Sequence, residues 1–417
     1  MNPTVDEVRS ELRAWIDDNW DPDLTVEQWW ARLADSGWAV PTWPEEWLGK
    51  GLPQNMAAVV RDELADEGAI GAPAGLGFLL AGPTILVHGT DEQRERYLRP
   101  IVAGTEGWCQ LFSEPGAGSD LASLQCRAER DGDEWVVTGQ KVWTSFGHQA
   151  DLGMLIARTD PDLPKHQGIS YFALPMDQPG VDVRPLREMT GHAMFNEVFL
   201  DEARVLDSAR IGGLGEGWRV ANTTLAAERS GLGTGGSGGG GGAMAGRKAG
   251  MLDVRAGDLV SRRPKGTNAE AGRGAAPLIA LARELGRAND PVLRQELAHL
   301  HILNEVGRMS SERAKGARRA GREVAGAGNI AKLTMSQVTR LTREVGLSVL
   351  GSDGMIMGPA TPGGGGIQEG ALYSPAVSIY GGSDEIQRNI IGERVLGLPK
   401  EPGPDKNTPF RELLLPT

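Results

Sequence analysis

The chain has 417 residues, 40% apolar and 24% charged, with a net charge of −12 at pH 7 and a pI near 5.2. That balance is ordinary for a globular protein. It argues against a nucleic-acid binder, which needs a basic face, and disfavours attraction to an anionic membrane. Two cysteines, Cys109 and Cys126, make no disulfide framework, and six scattered histidines make no metal motif, so no metal is expected.

The length suits two to three domains at roughly 150 residues each. The N-terminus has neither a basic start nor an apolar core, and the most apolar stretch, 75–87, is too short to span a bilayer. A cytoplasmic protein is the resulting expectation.

The first segment, 1–107, reads as helical. Thr4 with Glu7, Thr25 with Gln28 and Thr90 with Gln93 have capping-box spacing. Val5, Val8, Leu12 and Trp15 recur at helical intervals. Seven of the eleven tryptophans precede residue 48, and they read as core and interface mass.

The second segment, 108–212, reads as β. Glu134–Thr138 follows an Asp131-Gly132-Asp133 turn, and Lys141–Ser145 follows Gly139; three more short β-rich runs come after. The third segment, 213–417, returns to helix. Leu293, Leu297, Leu300 and Leu303 form one apolar stripe; Ile330, Leu333, Val338, Leu341 and Val345 form another. Ahead of both stripes, 231–242 is nearly all glycine. It reads as a flexible loop or as a wall so free of side chains that it widens a pocket.

Three motifs carry chemistry. Leu111-Phe112-Ser113-Glu114-Pro115-Gly116-Ala117-Gly118-Ser119 contains a glycine-rich turn whose exposed N–H groups can approach a ligand closely. Gly139-Gln140-Lys141-Val142-Trp143-Thr144-Ser145 puts an indole and a hydroxyl two apart, on one strand face. Near the end, Tyr380-Gly381-Gly382-Ser383-Asp384-Glu385 leads into a helix that Ser383 would cap.

In this order, these motifs resemble the acyl-CoA dehydrogenase family over nearly the whole chain. Thr90–Gln93 with Tyr97-Leu98, and Gly215–Trp218, fit as well. The resemblance implies an N-terminal all-α domain, a middle antiparallel β domain and a C-terminal four-helix bundle. FAD would lie between the last two domains and a neighbouring subunit. It implies that Gln110, Phe112 and Ser113 line the flavin, and that Ser119 touches flavin or the CoA arm. Trp143 would cover the ring and Ser145 bond near it, with Ser383 and Glu385 near the FAD phosphates or ribityl chain. The implied reaction is α,β-dehydrogenation of an acyl-CoA thioester to the trans-2-enoyl-CoA. A carboxylate takes the α proton, a hydride goes to flavin N5, and an electron-transferring flavoprotein accepts the electrons.

Most family members carry the catalytic Glu directly after the C-terminal tyrosine. Here that position is Gly381, which cannot take a proton but keeps an N–H for the substrate carbonyl. A minority branch places the Glu before an Arg on the helix opening the C-terminal domain, and this chain has Glu228-Arg229 there. Trp218, Ala221, Leu225 and Glu228 step by three, four and three, so Glu228 falls on the inward stripe. A desolvated carboxylate there suits base work on a carbon acid. Glu228 is therefore the expected base, against the alternative that it only pairs with Arg229 or another cation. Arg229 becomes an expected substrate contact, and Glu385 is the fallback base.

Two further stretches depart from the family pattern. Arg283-Glu284-Leu285-Gly286-Arg287 replaces an Arg-x-x-Phe-Gly stretch, and Ser348 replaces the Gln of a Gln-x-x-Gly-Gly-x-Gly run. Through these a neighbouring subunit would grip FAD. A homo- or hetero-oligomer, dimer or tetramer, is expected. The alternatives are a binding subunit with little activity alone and a flavin oxidase or monooxygenase.

Overall fold

The computed structural model describes residues 3–233, 244–260, 274–400, 402–403 and 407–413, with side chains at 229–233 and 319 excepted. The chain forms two compact units. The first is Met1–Arg187 with Ala193–Arg263 and Pro404–Thr417; the second is Glu188–His192 with Pro264–Gly403.

The first unit opens with helices α1 (Val5–Asn19), α2 (Val26–Asp35), α3 (Met56–Asp66), α4 (Gly82–His88) and α5 (Asp91–Val102). Thr4, Thr25 and Thr90 cap α1, α2 and α5 in reciprocal boxes with Glu7, Gln28 and Gln93. Each box satisfies two of the donors that a helix start leaves open. Trp29 and Trp30 are buried, and their indole N–H groups donate to Ile70 O at 2.7 Å and Gly71 O at 3.0 Å.

The β part has seven strands: β1 (Trp108–Leu111), β2 (Arg127–Asp131), β3 (Glu134–Ser145), β4 (Leu152–Arg158), β5 (Ile169–Pro175), β6 (Val181–Leu186) and β7 (Phe195–Leu206). They run in the order β1-β4-β2-β3-β7-β6, with β5 also on β4. The sheet is mostly antiparallel; β1 on β4 and a single β2–β4 pair are parallel. The two runs expected either side of Gly139 are one twelve-residue strand, β3. Gly139, at φ +159°, faces the Cys126 backbone so closely that no side chain would fit.

After β7 the chain enters α6 (Gly217–Gly233) through a short linker. Asp207 holds that linker: its carboxylate accepts from Trp135 Nε1 at 2.8 Å and Arg210 Nε at 2.9 Å. The Arg210 and Trp135 hydrogen bonds hold its pKa down to about 2 from 3.8. A depressed acid contributes stability above its unfolded pKa and loses it as pH falls toward its folded value. Asp207→Asn is therefore expected to remove about 2 kcal/mol at neutral pH. Acid unfolding curves should then converge with wild type near pH 2, and parallel curves down to that pH would contradict the assignment.

Residues 244–260 return to the helical part. Val254 O and Leu252 O accept the N–H groups of Val26 and Glu27 at 2.9 and 3.0 Å, so the start of α2 is satisfied by a distant segment. Near the chain end, Phe410 lies 3.7 Å from the Arg158 guanidinium.

The second unit holds α7 (Ala276–Glu284), α8 (Pro291–Arg319), α9 (Ala327–Leu350), α10 (Gly366–Val377) and α11 (Asp384–Ile390). Leu278, Ala282, Leu293, Leu297, Leu300, Val345 and Val349 form its core. The stripe expected on α9 holds only toward its C-terminal end. Ile330 is exposed, whereas Lys332 and Ser336 are buried. The polar pair turns inward because Val377 O accepts from both, at 2.6 and 3.2 Å. Among the described residues no helix is long and apolar enough to cross a membrane, and no acid, histidine or cysteine group could hold a metal.

Candidate active site

Helix α6 is fixed by a line of hydroxyls. Thr224, fully buried, bonds Thr84 Oγ1 at 2.9 Å and Tyr171 OH at 3.3 Å. Next to it, Thr223 Oγ1 lies 2.7 Å from His88 Nε2. The helix also packs on a π-turn at Gly77–Ala81, the kind of irregularity often found at functional sites. Glu228 lies one turn beyond Thr224 on the same face. It is half-buried, and Gln110 Nε2 on β1 lies 3.5 Å from its Oε2. An expected flavin-lining residue and the expected base, 118 positions apart, thus meet.

Beyond Gln110, β1 ends at Leu111 and the chain turns. Glu114 and Ala117 exchange backbone hydrogen bonds at 2.9 and 3.1 Å across Pro115-Gly116. Ser113 is half-buried, and its carbonyl accepts from Val142 N at 2.9 Å. The turn is therefore tied one residue before Trp143. A register shift between Lys141 and Thr144 on β7 puts Trp143 at φ +61° and leaves it 58% exposed. Phe195 lies edge-on to its ring at 5.9 Å. Ser145 is half-buried and Ser119 exposed. The Phe112 ring is buried, edge-on to Tyr171 at 6.0 Å.

An indole held outward costs solvation of a large apolar face. With the hydroxyls of Ser113 and Ser145 and a turn whose Gly116 and Gly118 stand in open space, it fits a planar ring with a hydrogen-bonding edge. These residues fit a flavin. The first unit also holds a narrow cleft walled by Gly75, Leu76, Gly77, Trp108, Phe146 and Met244.

In the second unit, Gly381 and Gly382 have φ of +64° and +87°. A side chain on Gly382 would strike the Gln387 amide, which donates to Gly381 O at 3.0 Å. The Ser383 hydroxyl accepts from Ile386 N at 3.3 Å as the cap of α11. Glu385 is exposed and 3.5 Å from Arg388. The two stretches that depart from the family pattern meet each other: Arg287 Nη1 donates to Ser348 O at 2.6 Å and Val349 O at 3.0 Å. The Arg229 side chain and the glycine run at 234–242 lie outside the described residues, so the expected substrate contact and the pocket-widening wall do too.

Sequence reasoning missed the partners that hold these groups. Glu114 and Lys141 form a buried ion pair at 2.8 Å. The Thr84–Thr224–Tyr171 line has no local signature.

The class follows from this architecture and from the family models. The N-terminal domain of acyl-CoA dehydrogenase matches residues 4–105, the middle domain 109–203 and the C-terminal domain 272–396. The chain belongs to the acyl-CoA dehydrogenase family and is an oxidoreductase of that kind. Acyl-CoA dehydrogenase IpdE1 of Mycobacterium tuberculosis is 37% identical over 95% of this chain and 98% of its own. Acyl-CoA dehydrogenase FadE34 of the same organism is 36% identical over 90% of this chain and 47% of its own. Among solved structures, the Tcur3481-Tcur3483 steroid ACAD has TM-score 0.69 at 27% identity, covering 95% of this chain and 98% of its own. The ChsE4-ChsE5 complex of Mycobacterium tuberculosis has TM-score 0.66 at 26% identity, covering 96% and 99%.

Proposed function

We propose that this chain dehydrogenates an acyl-CoA thioester to the trans-2-enoyl-CoA with Glu228 as base and FAD as acceptor. The observation that carries the reading is the Gln110–Glu228 pair, which sets a carboxylate against the strand leading into Ser113. Bound FAD supplies the two-electron acceptor for the β hydrogen. Glu228 takes the α proton as the double bond forms, and the half-buried site keeps its carboxylate partly out of water. Gly381 brings no carboxylate, so its position cannot supply the base. Trp143 would cover the ring face, and Ser113 and Ser145 would bond its edge. Gln110 and Ser119 would contribute to holding cofactor or the CoA arm, and Arg229 to substrate.

An electron-transferring flavoprotein is the proposed acceptor. The likeness to a steroid acyl-CoA dehydrogenase supports a bulky acyl group.

A second reading is favoured by Gly381, Ser348 and the two-component neighbours: an FAD- and acyl-CoA-binding subunit of a hetero-oligomer. The purified full chain is expected to be yellow and to bleach anaerobically with one member of a panel of linear, branched and polycyclic CoA esters. A colourless, inactive chain that gains flavin only with a second dehydrogenase chain would support the subunit reading. A yellow protein that no ester bleaches would overturn the first.

A further inference from the structure

Lys141 is fully buried, and its ammonium uses all three donors. It reaches Phe112 O at 3.1 Å, Glu114 Oε1 at 2.8 Å and Ile156 O at 2.9 Å. Glu114, nearly as buried, accepts in turn from Gln125 N at 2.7 Å and Cys126 N at 2.9 Å. One ion pair therefore gathers the end of β1, the middle of β3, β4 and the entry to β2. Ser113 stands between the two residues it grips, and Val142 N–H, next along from Lys141, holds the Ser113 carbonyl.

A buried pair of this kind is a weak source of stability, because desolvating two ions offsets their attraction. Its directional bonds are a strong source of geometry. Without them the Phe112–Glu114 segment would keep its backbone bonds to Ala117 and Val142 but lose the side-chain anchor that holds it to β3 and β4, and gain freedom there. The exposed side of that segment is the one the proposed function gives to the flavin edge.

We propose that the Lys141–Glu114 pair is a positioning device. It fixes the Ser113 hydroxyl against the flavin edge and so sets both the affinity and the reduction potential of the bound cofactor. The inference rests on the flavin reading above.

The test compares Lys141→Met with the double variant Glu114→Gln/Lys141→Met in the full chain, purified with whatever partner it requires. Lys141→Met leaves a carboxylate buried without its cation and should melt well below wild type. The double variant removes both charges and should regain most of that melting temperature. It still lacks the Phe112 tie, so FAD should bind roughly ten- to a hundredfold more weakly to it, as expected for one or two lost charge-assisted hydrogen bonds. The midpoint of a dye-coupled reduction titration should also shift. Amide exchange at Val142 should quicken in the flavin-free protein, which reads the tie without the cofactor.

A double variant with wild-type FAD affinity and midpoint would overturn the inference, whatever its stability. A purely structural pair gives that result, because restoring the fold would restore the flavin. A wild-type protein that takes up no FAD, alone or with its partner, defeats the flavin reading before any substitution is made, and this inference with it.

Discussion

Glu228→Gln is expected to keep its flavin and to bleach at least about a thousandfold more slowly with substrate, the loss typical of a missing general base. The substitution preserves shape and leaves a polar group beside Gln110. The bonds that seat α6, through Thr223 and Thr224, lie a turn away and are untouched. FAD content and substrate affinity should therefore stay near wild type, and the loss should fall on the reductive step. Stopped-flow absorbance under anaerobic conditions separates the two. Glu228→Asp, a methylene shorter, should fall between, since a base out of reach loses rate steeply. An undiminished bleaching rate in Glu228→Gln would remove this carboxylate from the chemistry.

How much of this was readable beforehand depended on the range of each interaction. The caps of α1, α2 and α5 are written within four residues, so Thr4, Thr25 and Thr90 could be read directly. The inward stripe on α6 was also local, because Ala221, Leu225 and Glu228 share a face by spacing alone. Gln110 was named only as a cofactor residue; its partner lies 118 positions on, and no spacing rule connects a strand end to a helix in another part of the chain.

Lys141 is the instructive case. Trp135, Val137 and Lys141 alternate on one face of β3, and the first two are plainly core. Spacing from Trp135 and Val137 thus placed a lysine in the interior, where it must find an acid, and the register shift that follows it turns Trp143 outward. Glu114 was within the quoted motif and could have been matched to Lys141. A motif likewise carries the position of Phe112, while the packing of its ring depends on Tyr171, far along the chain. On α9 the apolar spacing ended in error at Ile330, because a polar pair at Lys332 and Ser336 competed for the inward face and had an acceptor waiting in Val377 O.

That polar cluster gives the other large effect. Asp384 is 3% exposed at the first position of α11. Its Oδ2 accepts from Arg340 Nη1 at 2.9 Å, and Lys332 Nζ lies 3.9 Å from Oδ1. Its backbone N–H donates to Ser378 O at 3.0 Å, closing the turn that contains Gly381 and Gly382. Burial lowers the pKa of Lys332, and Asp384 opposes that shift. Asp384→Ala therefore leaves a buried ammonium without its counter-charge, at an expected cost of about 3 kcal/mol, enough to loosen the Gly381 turn. The acid's own pKa is lowered: burial raises it, but the Ser336 and Arg340 hydrogen bonds outweigh burial. Its stabilisation is then complete above the unfolded carboxylate value, about 4, and is lost as pH falls through the lower folded value. All eleven tryptophans lie in the first unit, so their emission reports on that unit. The variant should shift the helical circular-dichroism transition while leaving tryptophan emission nearly in place, and the difference from wild type should shrink in acid. Coincident shifts of both signals, or no shift in either, would show that Asp384 does not carry the second unit.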